Sequence, residues 1–262
     1  MPVMSLVRKA SKMAVTPLGL PARRRAGDVV ILLYHRIGSA RQEIELSPDA
    51  FEHQLADLVT NDCVLTLDDA LEGRHDGGVV VTIDDGYRDF HDTVLPLLEK
   101  HRVPATLYLA TGLVAGGANA PNGDALTWGQ LREAVATGLV TVGSHTHGHV
   151  DLSTATEAES EDEMRRSKDL IEDRLETPCV HFAYPWAVGS AAADRAARRL
   201  FRTAALDAWR TNRAGRVDPY RLGRVPILRS DGRFFFRRKV RGALDSEALL
   251  YRALGRGPWG RA

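Results

Sequence analysis

The chain has 262 residues, and 44% of them are hydrophobic, which is enough to bury one full core. With 35 basic and 34 acidic residues, the formal net charge is +1, so no global field marks a nucleic-acid-binding protein. Two cysteines, Cys63 and Cys179, are too few for a disulfide framework and form no Cys-x-x-Cys motif. No apolar run is long enough to span a bilayer.

The chain divides into a central domain, residues 27–242, between two terminal segments. Residues 1–26 are basic and amphipathic but lack the apolar run and cleavage site of a secretory signal. This segment either packs on the domain or lies on a membrane surface, so cytoplasmic, membrane-peripheral and extracytoplasmic locations stay open. Residues 243–262 predict a helical tail. We expect a monomer.

Strand and helix patterns alternate along residues 27–242. Val29 to His35 is apolar on both faces, which is typical of a strand in a buried parallel sheet. Ser47 and Pro48 predict a helix start, and Pro96 predicts a kink in a helix over 87–101. Further strands are predicted at 63–67, 79–83, 104–110, 139–143, 180–184, 203–206 and 222–228, and further helices at 128–137, 157–176 and 191–200. This alternation predicts an α/β fold with a closed or partly closed barrel, whose site lies at the carboxyl ends of the strands.

Two polar clusters follow such strands. Asp84 and Asp85 come after a β-branched run and precede Gly86. Because side chains alternate along a strand, the two carboxylates should diverge and take different tasks, although Asp-Gly is also ordinary turn chemistry. The second cluster, 144–149, reads Ser-His-Thr-His-Gly-His. Two histidines and one carboxylate would meet the ligand count of a catalytic zinc, while histidines in a solvent loop are the alternative.

These clusters resemble motifs of the polysaccharide deacetylases, also called the NodB-homology or carbohydrate esterase 4 family. Residues 82–86 (Thr-Ile-Asp-Asp-Gly) are similar to its Thr-Phe-Asp-Asp-Gly motif, and residues 145–149 to its His-(Ser/Thr)-x-x-His motif. Residues 182–186 (Phe-Ala-Tyr-Pro-Trp) resemble its third motif. The resemblance runs from about Val29 to about Leu228. It implies a distorted (β/α) barrel of about seven parallel strands and removal of acetyl groups from a carbohydrate.

The resemblance also implies roles for single residues. Asp84 matches the general base, and Trp186 matches the position whose backbone N–H helps to hold the oxyanion. Tyr184, in the same motif, is assigned to the oxyanion or substrate side. The implied ligands of a divalent metal, usually zinc although other divalent metals serve in some members, are Asp85, His145 and His149.

Expulsion of an amine needs a proton donor, for which histidine is the natural side chain. Many members place this histidine near the C-terminus, but the present chain has none after His181. His35, in Leu-Tyr-His, resembles the acid of the branch that includes poly-N-acetylglucosamine deacetylases, whose N-terminal Tyr-His motif supplies it. A buried structural histidine is the alternative.

A second departure concerns the arginine that orients the catalytic aspartate in the family, because Val180 stands at its position. We predict that Arg224 replaces it. Asp207 matches the aspartate that holds the acid histidine, or else lies in a surface turn. The predicted function is therefore metal-dependent deacetylation of an N-acetylated carbohydrate. The alternatives are a catalytically silent carbohydrate-binding protein and a metal phosphoesterase, which would need further carboxylates.

Overall fold

Seven parallel strands form the centre of the molecule, in a computed structural model that describes residues 24–38, 41–73, 75–114, 124–207, 210–213 and 217–242. In chain order the described strands are β1 (Val29–Tyr34), β2 (Arg36–Ile37), β3 (Glu45–Leu46), β4 (Gly78–Asp85), β5 (Ala105–Leu109), β6 (Val140–Ser144), β7 (His181–Ala183), β8 (Thr203–Asp207) and β9 (Leu222–Pro226). The short strands β2 and β3 pair with each other outside the barrel. The closed barrel runs β1, β4, β5, β6, β7, β8, β9 and back to β1, and every pair is parallel. The predicted barrel of about seven parallel strands is confirmed.

The barrel has two apolar layers because successive side chains of a strand point to opposite faces. Val80 and Leu222 belong to the cluster that fills the interior, and alternate residues pack outward against the helices. Asp84 has the same parity as Val80, and Arg224 has the same parity as Leu222. Both charged side chains therefore project into the interior, above an apolar floor.

The helices surround the barrel, and side-chain caps start most of them. They are α1 (Pro48–Asn61), α2 (Leu67–Leu71), α3 (Leu95–His101), α4 (Trp128–Ala136), α5 (Glu157–Leu175), α6 (Ala191–Leu200) and α7 (Gly232–Val240). Ser47 caps α1 as predicted, with its hydroxyl accepting from the N–H of Ala50. Capping boxes at Thr127 and Thr156 start α4 and α5.

Two predicted elements differ. The stretch 63–67 forms only an isolated bridge between Val64 and Val79, because Thr66 instead caps α2 by accepting from the N–H of Asp69. The helix predicted over 87–101 starts late, since Tyr87 is held in a bridge to Ala125. A π-helical turn, Phe90–Val94, then leads into α3, in whose first turn Pro96 lies. The predicted kink is therefore a change of helix type.

Among the described residues, none of the helices is long and apolar enough to cross a membrane. The predicted terminal elements lie outside the described residues, apart from residues 24–26 at the end of the first segment. Their structures therefore stay predictions.

Candidate functional site

Asp84 lies at the end of β4 and forms a buried ion pair with Arg224 of β9. The guanidinium donates from Nη1 to Oδ1 at 2.6 Å and from Nη2 to Oδ2 at 2.8 Å. Burial alone would raise the pKa of the Asp84 carboxyl, but Arg224, together with His145 and His35, outweighs it and lowers that pKa. Asp84 is therefore an ionised carboxylate in a fixed orientation. Arg224, the predicted replacement for the motif arginine, thus contacts the Asp84 carboxylate directly.

Asp85 does not diverge from Asp84 as simple strand alternation predicted. Its φ is 79°, in the left-handed region, and this turns the carboxylate back toward the same edge of the barrel. The next residue, Gly86, has φ 95°, and a Cβ there would overlap a Leu109 methyl. The glycine of the motif is thus required by both backbone conformation and space. Both carboxylates consequently face His145, whose Nε2 lies 3.6 Å from Asp84 Oδ2 and 3.7 Å from Asp85 Oδ1.

His145 and His149 converge on the same oxygen of Asp85. His149 Nε2 is 3.3 Å from Asp85 Oδ1, and the three side chains offer ligand atoms that all lie within 4.8 Å of one another. His145 Nδ1 donates to the Ala183 carbonyl at 2.8 Å, so its Nε2 presents a lone pair to the carboxylates. Burial lowers the pKa of His145 to about 4, against the opposing effect of Asp84 and Asp85, so the imidazole is neutral at pH 7.

This arrangement fits a divalent cation. Asp85 Oδ1 is buried and has no hydrogen-bond partner among the described residues, although the His145 lone pair faces it. Burial by itself would raise the pKa of the Asp85 carboxyl, but the imidazoles of His149, His145 and His35 hold it at about 2. A carboxylate oxygen and two imidazole nitrogens are the donors that zinc binds, and a cation between them would satisfy all three.

His35 reaches the same edge of the barrel from β1. Tyr34 is paired with Ile83, so the next residue, His35, is level with Asp84 on the neighbouring strand. It is half-buried and close enough to contribute to the lowered pKa of both Asp84 and Asp85. The structure therefore brings the predicted proton donor beside the paired carboxylates.

Of the two aromatic residues predicted from the third motif, Trp186 lies at the site and the Tyr184 ring lies in the core. The Trp186 ring lies 4.8 Å from the His149 ring, and the residue is 68% exposed. Its backbone is left-handed, with φ 56°. The Tyr184 ring instead packs edge-on against Phe182 at 5.0 Å, in the layer between strands and helices. Strand alternation points both aromatic rings away from the interior, so the structure does not bring the Tyr184 ring to the site, and the assignment of Tyr184 to the oxyanion or substrate side stays a prediction.

Asp207 ends β8 in register with Arg224, but its side chain lies outside the described residues, so its role stays a prediction.

Sequence reasoning missed two features of the site. One is the Ala183 carbonyl that fixes the His145 tautomer. The other is Arg36, which binds Asp89 at 3.2 Å and Asp124 at 2.5 Å directly after His35. A backbone acceptor has no sequence signature. The ion pairs of Arg36 could have been suspected from the sequence, because a charged residue directly follows the Tyr-His motif.

Comparison with known proteins agrees with this geometry. A sequence profile described as polysaccharide deacetylase matches residues 72–205, just over half of the chain. The poly-beta-1,6-N-acetyl-D-glucosamine N-deacetylase of Staphylococcus aureus (strain MRSA252) is 27% identical over an alignment of 191 residues, which covers 62% of this chain and 66% of that protein. The chain thus spans slightly less than two thirds of this relative's length.

Two solved structures share the fold. IcaB from Ammonifex degensii has a TM-score of 0.69 at 27% identity, covering 78% of this chain and 93% of that chain. The deacetylase PplD of Streptococcus pyogenes, solved in complex with acetate, has a TM-score of 0.73 at 24% identity, covering 81% and 98%. The match of the family profile to residues 72–205 confirms the resemblance of the motifs, and the chain belongs to the polysaccharide deacetylase family.

Proposed function

We propose that the protein is a divalent-metal-dependent hydrolase that removes acetyl groups from an N-acetylated carbohydrate. The observation that carries this proposal is the convergence of Asp85, His145 and His149 ligand atoms within 4.8 Å, next to the buried carboxylate of Asp84. The cluster lies at the carboxyl ends of parallel barrel strands, where such folds hold their active sites. Family membership supports the same reaction class.

Asp85, His145 and His149 would hold the metal, with zinc the first candidate because its preferred donors match this set. When bound, such a metal lowers the pKa of a coordinated water to about 7 and polarises an acetyl carbonyl. The protein contributes by fixing the donor atoms beforehand. His145 is fixed through the Ala183 carbonyl, and Asp85 through its left-handed backbone.

Asp84 is the proposed general base, which accepts a proton from the attacking water. Arg224 occupies one lone pair on each of its oxygens, and a carboxylate has further lone pairs for that proton. His35 is the proposed general acid, which gives its proton to the nitrogen as the carbon–nitrogen bond breaks. In the turn Pro185–Ala187, the N–H of Ala187 donates to the Tyr184 carbonyl. The N–H of Trp186 lies one residue before this bonded group, and we assign it to the developing oxyanion.

The proposed substrate is a polymer or glycan of N-acetylglucosamine. The name of the staphylococcal relative supports this choice, as does the exposed Trp186 ring beside His149, because aromatic faces pack against apolar sugar faces. The case for a silent carbohydrate-binding protein was the missing arginine at Val180. The contact of Arg224 with Asp84 provides the guanidinium from another strand and weakens that case.

Acetate release from N-acetylglucosamine oligomers of several linkages tests the proposal. We expect release by the metal-loaded protein, loss after treatment with a chelator, and recovery when zinc or another divalent metal is restored. Binding of the oligomers without acetate release would overturn the enzyme proposal in favour of a silent binding protein. Undiminished release after removal of the metal would overturn metal dependence alone.

A further inference from the structure

The loop that carries His145 and His149 is held by neighbours outside the three motifs. On one side, the turn after β5 contacts it. The N–H of Gly112 donates to the His147 carbonyl at 2.7 Å, and Thr111 Oγ1 lies 2.9 Å from His147 Nδ1. His147 thus stays outside the ligand cluster and links the loop to the turn after β5.

On the other side, a single residue of α5 bonds two consecutive N–H groups of the loop. Glu163 Oε2 accepts from the N–H of Gly148 at 2.6 Å, and the Glu163 carbonyl accepts from the N–H of His147 at 3.1 Å. The Glu163 side chain is half-buried, and hydrogen bonds to an ionised acceptor are stronger than neutral ones. The contact holds the peptide that directly precedes His149.

We propose that Glu163 is a positioning residue that keeps His149 in its metal-binding orientation, an inference that rests on the proposed function. His149 has φ 53° and Thr146 has φ 65°, both in the left-handed region that is costly for residues with side chains. A loop with two such residues persists only where neighbours constrain it. The bond to Gly148 supplies this constraint next to His149, and so keeps His149 Nε2 beside Asp85 Oδ1.

Glu163 acts through the loop rather than on the metal. Within the part of the chain that the structure describes, the group of ligand atoms within 4.8 Å of one another consists of Asp85, His145 and His149, and Glu163 does not belong to it. Partners that orient a ligand from outside the coordination shell change metal affinity by roughly 10–100-fold when they are removed. The expected consequence is weaker metal binding with the ligand set still intact.

The test is a zinc titration of chelator-stripped protein against a competing indicator. Glu163→Ala should weaken zinc binding by roughly 10–100-fold. Glu163→Gln keeps an acceptor oxygen but loses the charge, so it should weaken binding by a smaller factor, roughly two- to tenfold. The matched control is Glu161→Ala on the same helix, whose carboxylate binds Arg165 and Arg199, each at 2.6 Å, and not the loop. Its zinc affinity should equal that of the wild type.

A second readout separates positioning from general damage. At saturating zinc, Glu163→Ala should recover most of kcat, and its unfolding temperature without metal should match that of Glu161→Ala. Equal zinc affinities of the wild type and Glu163→Ala, or an equal loss in Glu161→Ala, would overturn the positioning role and leave the proposed function standing. Should Glu163→Ala fail to fold, wild-type affinity in Glu163→Gln would overturn it. A wild type that binds no zinc would overturn both proposals.

Discussion

Replacement of Arg224 by methionine tests how the barrel interior holds Asp84. Methionine keeps an unbranched apolar chain in the interior but removes the two hydrogen bonds of 2.6 and 2.8 Å to the carboxylate. The Asp84 side chain is only 2% exposed, so water cannot replace the lost guanidinium without rearrangement. Removing one partner of a buried ion pair costs about 3–5 kcal/mol. At roughly 2–4 °C per kcal/mol for a domain of this size, the Tm should fall by roughly 6–20 °C.

The assay is urea unfolding followed by circular dichroism, with a chelator present so that bound metal does not contribute. It compares the wild type, Arg224→Met, Asp84→Asn and the double variant. Each single variant leaves one buried charge facing a neutral group, whereas the double variant has no buried charge at either position. The double variant should therefore lose less free energy of unfolding than the sum of the single losses.

A surface arginine provides the matched control. Arg198 binds Asp194 at 3.0 Å and Asp218 at 3.2 Å, but it is 41% exposed, so Arg198→Met should cost less than about 1 kcal/mol. A loss in Arg224→Met no greater than in this control would refute the buried pair as a stabilising contact. Additive losses in the cycle would refute the coupling between Arg224 and Asp84.

Three further substitutions separate the proposed roles around the site. His35→Gln should lower kcat, measured by steady-state kinetics, by about 10²–10⁴-fold. Its zinc affinity, measured by titration, should not change, and an unaltered kcat would contradict the role of His35 as the acid. Trp186→Ala should raise KM for N-acetylglucosamine oligomers but leave the Tm unchanged because the ring is 68% exposed, and an unchanged KM would argue against stacking. Tyr184→Phe should leave KM unchanged because the ring packs in the core, so a raised KM would contradict that placement. His91→Gln, a substitution on the surface, is the control for the histidine variant, and its kcat should be that of the wild type.

The barrel could be predicted because its strands carry their signal locally. Val29–Tyr34 is a continuous apolar run, and residues 79–83 of the strand Gly78–Asp85 are all β-branched, a pattern typical of a strand buried on both faces. Helix Ala191–Leu200 follows a Ser190 cap and was predicted with its observed bounds. The prediction failed at Tyr87, where a contact to Ala125 across the chain decides the backbone, and no local pattern reports such a contact.

The site was predictable in residue type but not in geometry. Asp84 and Asp85 were recognised by their motif, yet their convergence depends on the φ of Asp85, which strand alternation alone does not predict. The contact of Arg224 with Asp84 joins residues 140 positions apart. It could be proposed only because the absent motif arginine required a replacement. Glu163 had no signal at all, since a glutamate on a charged helix is usually a solvated residue.

Metal content and acetate release, measured on the same preparation of Asp84→Asn, test the division of labour between the two aspartates most directly. Asp85, His145 and His149 are unaltered in this variant, so it should bind one equivalent of divalent metal, as the wild type should. It should nevertheless release no acetate from N-acetylglucosamine oligomers, because the proposed base is gone. Full acetate release by Asp84→Asn, or loss of its metal, would contradict the assignment of Asp84 as base and Asp85 as ligand.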